Sequence, residues 1–306
     1  MNVAILTFSP SYSTRLVGDA LAERLRSRGY GAQHVDISGE SRVFERGDMA
    51  GFLDAVVEAH DVICVGAPVY GRHFQYHALD LIEALPRPDQ RWAKIAVPFV
   101  TYGALSSGIA LEEAGRAFSK SGRKVVAGLK VSAAHSLTPP LLDYTFNEGQ
   151  PDGPALAVLD DLVDRIACLD EAADAMDALA YRDRDYWVES VTALDERKSH
   201  AERYPQIVID DESCTGCGAC EDRCPVRHLR VVDGKAQTSD ASPCIHCFSC
   251  LAACEVGAIT LPVEKAHRMG AFLADLIEKG AHREQPATVV YPVRRNEDIG
   301  RGEESE

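Results

Sequence analysis

Eight cysteines in two identically spaced runs constrain this chain more than any other feature of its sequence. The spacing C-x2-C-x2-C-x3-C occurs twice, with an offset of 30 residues: Cys214, Cys217, Cys220 and Cys224, then Cys244, Cys247, Cys250 and Cys254. Three thiols on one tight loop with a more distant fourth suit a cubane, whose irons need thiolates from several directions. The spacing therefore predicts two [4Fe–4S] clusters.

Two other uses of clustered cysteines fit the sequence less well. A disulfide framework belongs to secreted chains, whereas the segment from Met1 to Phe8 predicts a strand and shows no signal peptide. Structural zinc needs two pairs of ligands separated by a longer loop. The two remaining cysteines, Cys64 and Cys168, lie in apolar patterns and are expected to pack as small hydrophobic side chains.

Length and charge narrow the class of protein. A chain of 306 residues suggests about two domains. Its net charge of −15 disfavours a nucleic-acid binder, which needs a basic face. No apolar run approaches the roughly 20 residues of a membrane-spanning helix. We therefore expect a cytoplasmic protein with no membrane span and no nucleic-acid partner.

The first 150 residues alternate between strand-like and helix-like segments. Predicted strands are Asn2–Phe8, Gly31–Ile37, Asp61–Ala67, Lys94–Val100 and Lys124–Ala133. Predicted helices are Tyr12–Arg28, Met49–Ala59, His73–Leu85 and Leu105–Lys120. This alternation predicts a five-stranded, doubly wound parallel sheet of the α/β class. Its ligand is expected beyond the carboxyl ends of the strands, at the switch point of the strand order.

Three loops at that edge carry candidate cofactor-binding residues. The first is rich in hydroxyls and opens a helix, which makes a phosphate cradle. No Walker A or G-x-G-x-x-G motif is present, so a nucleoside triphosphatase or an ordinary dinucleotide site is disfavoured. The other two loops each present an aromatic residue beside glycine, and a flat ring carrying one phosphate describes FMN. The candidates are Ser9, Ser11, Tyr12, Ser13 and Thr14; Pro68, Val69, Tyr70, Gly71 and Arg72; and Thr101, Tyr102, Gly103 and Ala104.

The cysteine-rich segment, residues 204–262, resembles the bacterial ferredoxins that hold two clusters, so a small α+β domain is expected. In that family the fourth cysteine of each run ligates the other cluster. The resemblance implies two crossed ligand sets: Cys214, Cys217, Cys220 and Cys254 for the first cluster, and Cys244, Cys247, Cys250 and Cys224 for the second. Glu255 departs from the family, which usually has proline there.

Residues 1 to about 150 resemble the flavodoxin family, on the loop Phe8-Ser-Pro-Ser-Tyr-Ser-Thr14. The resemblance implies that the hydroxyls of that loop bind the FMN phosphate and that the other two loops sandwich the isoalloxazine ring. Tyr12 stands where such loops often carry glycine. The whole chain resembles fusions of a flavodoxin with a two-cluster ferredoxin found in anaerobes, including His135-Ser136 and Gly149-Gln-Pro-Asp-Gly153.

These segments predict five parts. Residues 1–180 form the flavodoxin-like domain, 181–203 a helical linker, 204–262 the ferredoxin-like domain, 263–280 a C-terminal helix, and 281–306 a mobile tail. Residues 289–293 of the tail are a candidate edge strand. Residues 151–200 hold 13 acidic and 5 basic side chains. That charge is either a solvated helix face or a docking face for a basic redox partner.

The predicted cofactors lead to one leading function and two alternatives. An electron-transfer iron–sulfur flavoprotein would move electrons between its clusters and FMN, and on to a protein or small-molecule acceptor, under anaerobic conditions. Reduced ferredoxin is the expected donor, because nothing marks a nicotinamide site. The alternatives are an FMN-dependent reductase of a bound organic substrate and a non-catalytic redox sensor. Candidate proton donors for the reductase are His73, Tyr76, His77 and His135.

Overall fold

A computed structural model describes residues 1–168, 204–240, 242–280 and 288–291. The first part alternates strands and helices: β1 (Asn2–Thr7), α1 (Ser13–Ser27), β2 (Gly31–Asp36), α2 (Ser41–Phe44), α3 (Met49–Val56), β3 (Val62–Tyr70), β4 (His73–Phe74), α4 (Tyr76–Ala84), β5 (Ile95–Tyr102), α5 (Ala110–Lys120), β6 (Lys124–Val125), β7 (Gly128–Ser132), α6 (Pro139–Leu142) and α7 (Gly153–Ala167). We call residues 1–168 the sheet unit.

The second part has shorter elements: β8 (Val208–Ile209), α8 (Ala219–Arg223), β9 (Leu229–Val232), β10 (Lys235–Thr238), α9 (Ser249–Ala253), β11 (Ile259–Thr260), α10 (Val263–Gly280) and β12 (Thr288–Tyr291). Strands β9 and β10 form one antiparallel pair, and β8 and β11 form another. We call residues 204–262 the cluster unit. It contains small strands and two short helices, which is the small α+β architecture expected from the sequence.

The five long strands of the sheet unit pair in parallel in the order β2-β1-β3-β5-β7. Counted along the chain this is the order 2-1-3-4-5, which defines the flavodoxin-like doubly wound fold. The order reverses between β1 and β3, so the crevice beyond their carboxyl ends is where a ligand of such a sheet binds. The predicted fold class is confirmed.

Apolar side chains cover both faces of this sheet. On one face, α1 and α7 pack Leu21, Leu25 and Leu162 against strand residues such as Ile5 and Phe99, all of them buried. On the other face, the core built on α3, α4 and α5 continues without interruption into the cluster unit, whose Val226 and Ile245 belong to the same apolar cluster. The two units therefore share one core.

Direct hydrogen bonds reinforce that shared core. The Gly39 amide donates to the Pro225 carbonyl over 2.7 Å, and the Arg227 guanidinium Nε donates back to the Gly39 carbonyl over 2.6 Å. Arg230 forms an ion pair of 3.3 Å with Glu45. These contacts place the cluster unit against the loop after β2, at the edge of the sheet where the crevice opens.

Three predicted elements differ from the structure for local reasons. The helix expected from His73 begins at Tyr76, because the positive φ of Gly71 and Arg72 turns the chain and pairs β4 with the end of β3. The helix expected from Leu105 begins at Ala110, after the left-handed Gly108. The strand expected over 124–133 breaks between β6 and β7, where the pairing with β5 shifts by one residue.

Two predictions concern the end of the sequence. The edge strand expected over 289–293 is present as Thr288–Tyr291 and pairs antiparallel with β7. The C-terminal helix expected over 263–280 is present as α10. The helical linker predicted over 181–203 lies outside the described residues, as do the predicted mobile tail apart from residues 288–291 and most of the acidic side chains of residues 151–200.

Candidate functional site

The hydroxyl-rich loop after β1 prepares the N-terminus of α1. Tyr12, the N-cap residue, occupies the left-handed region with a φ of 73°, and its own side chain caps none of the helical amides. The Ser9 hydroxyl accepts a hydrogen bond of 2.9 Å from the Arg15 amide. Thr14 is buried, and its hydroxyl lies 2.7 Å from that of Thr101 on β5. Ser9 and Thr14 therefore shape the loop, and Ser11 and Ser13 line the cavity beside it.

The loop after β3 lines the same cavity with backbone held in unusual conformations. Gly71 and Arg72 have φ values of 54° and 74°. Ile109 donates to the Arg72 carbonyl over 3.0 Å, and a Cβ on Gly108 would lie 2.4 Å from that oxygen. Backbone in this region costs about 1–3 kcal/mol at a residue other than glycine, and it persists where the surroundings enforce it. Such strain is frequent at ligand sites.

The loop after β5 leaves room at the cavity for His135, which follows β7. A Cβ on Gly103 would lie 2.2 Å from the His135 ring, so glycine is what allows the imidazole to approach this loop. The His135 Nδ1 atom is buried and has no hydrogen-bond partner within the described residues. Burial lowers the pKa of His135 to about 4. The imidazole is therefore neutral near pH 7, with a polar atom available to a bound molecule.

The structure gathers most of the predicted cofactor-binding residues around this one cavity. Ten of them line it: Ser11, Ser13, Pro68, Val69, Tyr70, Gly71, Arg72, Thr101, Tyr102 and Gly103. The other four candidates belong to the same loops but do not line the cavity: Ser9, Tyr12, Thr14 and Ala104. The three loops thus meet beyond the carboxyl ends of β1, β3 and β5.

The far wall of the cavity was missed by the sequence reasoning. It comes from outside the sheet unit and consists of Tyr204, Met269, Phe272, Leu273 and Leu276. The sequence predicted α10 as a helix but not that one of its faces covers this cavity. Gly270 fixes the helix in place, because a Cβ there would lie 2.5 Å from the Leu141 carbonyl oxygen.

Of the four candidate proton donors, His135 lines the cavity. His73 is buried, and its Nδ1 lies 2.7 Å from Glu113 Oε1 on α5. The His77 ring packs on Tyr76, with ring centroids 4.3 Å apart, and also contacts Phe44. His73, Tyr76 and His77 are not among the described residues that line the cavity.

The structure arranges the eight cysteines in two sets around separate small cavities. The first set is Cys214, Cys217, Cys220 and Cys254. The second set is Cys224, Cys244, Cys247 and Cys250. Each set takes three cysteines from one run and the fourth from the other run, which is the crossed arrangement that the ferredoxin resemblance implies. Four thiols around a cavity with mainly apolar walls fit a cubane cluster.

Backbone amides support the sulfurs in both sets. Ala236 donates to Cys214 Sγ over 3.3 Å, His228 to Cys224 Sγ over 3.1 Å, and His246 to Cys244 Sγ over 3.4 Å. Such hydrogen bonds stabilise thiolates and tune the potential of a bound cluster.

Individual cysteines of the two sets differ in the pKa of their thiols. Amide hydrogen bonds from Ala236 and Gly216 lower the pKa of Cys214. Burial raises the pKa of Cys247, and it raises that of Cys244 to about 12. Burial also raises the pKa of Cys220 in the first set, so iron must displace more tightly held protons at the buried thiols of both sets than at Cys214.

Comparison with known proteins agrees with this site. Residues 206–255 match the family described as a 4Fe-4S dicluster domain. An uncharacterized ferredoxin of Methanocaldococcus jannaschii is 36% identical over 63 residues, which are 20% of this chain and 82% of that protein. Through this segment the chain belongs to the ferredoxin family. A ferredoxin of Pyrobaculum islandicum is also 36% identical, over 58 residues, 19% of this chain and 54% of that one.

The ferredoxin segment follows a sheet with the strand order of the flavodoxin-like fold, so this chain joins a flavodoxin-like domain to a ferredoxin segment. A flavodoxin from the domain Archaea is 15% identical, with a TM-score of 0.37, and covers 55% of this chain and 96% of its own. A Bacillus cereus flavodoxin is 17% identical, with the same TM-score, and covers 56% and 100%. These distant similarities add nothing to the fold that the strand order defines.

The residues present fit both kinds of cofactor. The 4Fe-4S dicluster domain exchanges single electrons through its clusters, which makes this an electron-transfer protein, and the two cysteine sets fit as the ligands of those clusters. The hydroxyl-rich loop and the two aromatic-bearing loops fit a phosphorylated flat ring system.

Among the described helices, none combines the length and apolarity needed to cross a bilayer.

Proposed function

We propose that this chain binds FMN in the cavity beyond β1, β3 and β5 and transfers electrons between that flavin, its own clusters and an external partner. The observation that carries the proposal is the composition of the cavity wall. One side is built by the three loops of the flavodoxin-like sheet, and the other side includes Tyr204 at the start of the cluster unit. The two kinds of cofactor site are therefore neighbours within one chain.

The chain's own residues supply binding and enclosure. Ser11 and Ser13 present hydroxyls beside the N-terminus of α1, where free amides and the helix dipole favour a phosphate. Tyr70 and Tyr102 supply aromatic walls for a flat ring. FMN, once bound, would supply the ability to hold one or two electrons, whereas each cluster exchanges them singly. A fusion replaces the encounter of two proteins by a tethered one.

The type of cofactor supports the choice of redox partners. The clusters exchange single electrons at potentials that span roughly −700 to +450 mV in proteins. A one-electron donor of low potential, such as reduced ferredoxin, suits them. The acceptor is a protein or a small molecule, and the resemblance to fusions of anaerobes makes anaerobic conditions part of the proposal.

The first test is the cofactor content of anaerobically purified protein. We expect the iron and sulfide of two clusters and one flavin per chain, with an absorption spectrum that contains both contributions. A colourless protein, or one dominated by zinc, contradicts the proposal.

A pair of charge variants tests the flavin site itself. Ser11→Asp places a negative charge where the phosphate is expected, so the dissociation constant for FMN should rise at least about tenfold, which corresponds to 1.4 kcal/mol. Ser27→Asp makes the same substitution at the other end of α1 and should leave it unchanged. Fluorescence titration of flavin-free protein measures both, and equal affinities would place the flavin elsewhere.

One observation favours a second candidate function, the direct reduction of an organic substrate in the cavity. His135 lines the cavity and carries a buried, unpartnered Nδ1 among the described residues. Its lowered pKa makes it a neutral hydrogen-bonding group near pH 7 rather than a stored acid. A substrate-dependent reoxidation of the protein that His135→Ala abolishes and His135→Gln partly restores would support this function over a carrier.

A further inference from the structure

We propose that Tyr204, stacked on His246, is the positioning residue that joins the flavin cavity to the second cysteine set. The second cluster is then the neighbour of the cavity, and the first cluster faces solvent. The inference rests on the proposed function and deepens it, because it says which of two identically spaced sites is coupled to the flavin.

The ring stack is the first observation. The rings of Tyr204 and His246 lie nearly parallel, 20° apart in plane, with centroids separated by 6.0 Å. His246 sits between Cys244 and Cys247 in the second run and is 1% exposed. Tyr204 also lines the flavin cavity. A continuous pair of rings therefore connects the loop of the second set to the cavity.

The second observation is that the loops carrying the second set dock on the sheet unit. Ser249, adjacent to Cys250, donates from its hydroxyl to the Pro10 carbonyl over 2.9 Å. Pro10 belongs to the hydroxyl-rich loop proposed to bind phosphate. Pro225, adjacent to Cys224, accepts from the Gly39 amide. Both ends of the second set are thus anchored to loops that follow β1 and β2.

The first cysteine set has the opposite surroundings. Cys217 is exposed, and Val256, which lines the cavity of this set, is 51% exposed. The loop of Cys214 is held within the cluster unit, where Lys235 Nζ donates to the carbonyls of Asp211 and Cys214. In contrast, Cys224, Cys247 and Cys250 are buried. An external redox partner therefore meets the first set.

The test measures how each cluster responds to FMN binding. Flavin-free protein with both clusters loaded is titrated with FMN, and the paramagnetic resonance spectra and potentials of the reduced clusters are recorded. A Cys217→Ser variant, which alters the ligands of the first set, identifies which signal belongs to which cluster. We expect FMN to shift the signal and potential of the second cluster and to leave those of the first in place.

Matched variants of Tyr204 separate a positioning role from a structural one. Tyr204→Phe keeps the ring stack and should keep the shift, whereas Tyr204→Leu should lose most of it. Tyr144→Leu makes the same substitution at an exposed tyrosine that does not line the cavity and should keep the shift. A shift of the first cluster alone, or an unchanged shift in Tyr204→Leu, overturns the inference. Failure of the native chain to bind FMN counts against the proposed function instead.

A second measurement needs no flavin. A soluble gadolinium chelate speeds the spin relaxation of clusters that lie near solvent. In the flavin-free protein it should act strongly on the first cluster and weakly on the second, and Tyr204→Leu should make the second several-fold more sensitive. Equal sensitivity of the two clusters in the native chain would contradict the assigned order.

Discussion

The sheet unit and the cluster unit are held together by different means. The sheet unit buries apolar side chains on both faces of five parallel strands, with Phe8, Phe74, Phe99 and Phe118 fully buried. The cluster unit has strands of two to four residues, and cysteines make up much of its interior. A core of the first kind folds on its own side chains, whereas the second kind depends on what its cysteines hold.

Removal of iron should produce the largest difference in stability between the two units. Structural metals supply about 10 kcal/mol or more of folding free energy in small domains, so an iron-free chain should lose hydrogen-exchange protection in the cluster unit. The parallel strands of the sheet unit should keep theirs. Hydrogen exchange followed by mass spectrometry resolves the two regions.

The matched control for that experiment is Cys168→Ser. Cys168 is exposed, contrary to the packing expected from the sequence, and lies outside both sets, so its loss should leave iron content and protection unchanged. Equal loss of protection in both units on iron removal would show that they fold as a single body.

Gly66→Ala should destabilise the sheet unit, whereas iron removal destabilises the cluster unit. A Cβ on Gly66 would lie 2.0 Å from the ring of Phe99 on the neighbouring strand. Overpacking of this kind should cost about 3 kcal/mol of unfolding free energy, measured by denaturant titration at constant iron content. Gly153→Ala meets nothing within 4 Å and should change stability by less than about 0.5 kcal/mol.

The sequence predicted this sheet because periodicity is local. Apolar strands alternate with helices, and the hydroxyl and aromatic loops fall at the strand ends, so the doubly wound parallel sheet and one side of the cavity followed, whereas the strand order came from the structure. The crossed cysteine sets also followed, from spacing and resemblance. The wall of Tyr204 and α10 did not follow, since long-range packing is required to place residues 204 and 269–276 over a loop near residue 70. The start of the helix predicted from His73 was wrong, because nothing in the sequence marks Arg72 as a left-handed residue in a turn.

The pH dependence of stability should reveal the half-buried imidazole of His135 in the cavity. The pKa of His135 is about 4 in the folded chain, against 6.5 for an ordinary histidine. The unfolded state therefore binds more protons, and stability should fall as the pH drops from 6.5 towards 4.

For flavin-free protein the His135 contribution should be about 2 kcal/mol, because one pKa unit corresponds to 1.36 kcal/mol and the ring is partly exposed. His135→Gln should flatten the pH profile by that amount, as urea unfolding at several pH values would show. The lowered pKa values of His60 and His246 contribute equally to both chains and cancel. An unchanged profile would mean that His135 titrates normally.

Arg227→Ala should have the smallest effect and acts where the two units meet. Its guanidinium donates to the Gly39 carbonyl over 2.6 Å, so the loss should weaken their coupling by about 1 kcal/mol. The observable is the increase in melting temperature of the sheet unit on iron loading, which should shrink. Arg223→Ala, at an exposed position of the same unit, should leave that increase intact.

Strand β12 has a consequence for solubility. Without Thr288–Tyr291, the amides and carbonyls along β7 would form an open border of the sheet, and such borders template pairing with other chains. The antiparallel segment occupies those groups from within the same molecule. Shortening the protein before residue 288 should therefore promote self-association, even though every cysteine and every residue of the cavity is retained.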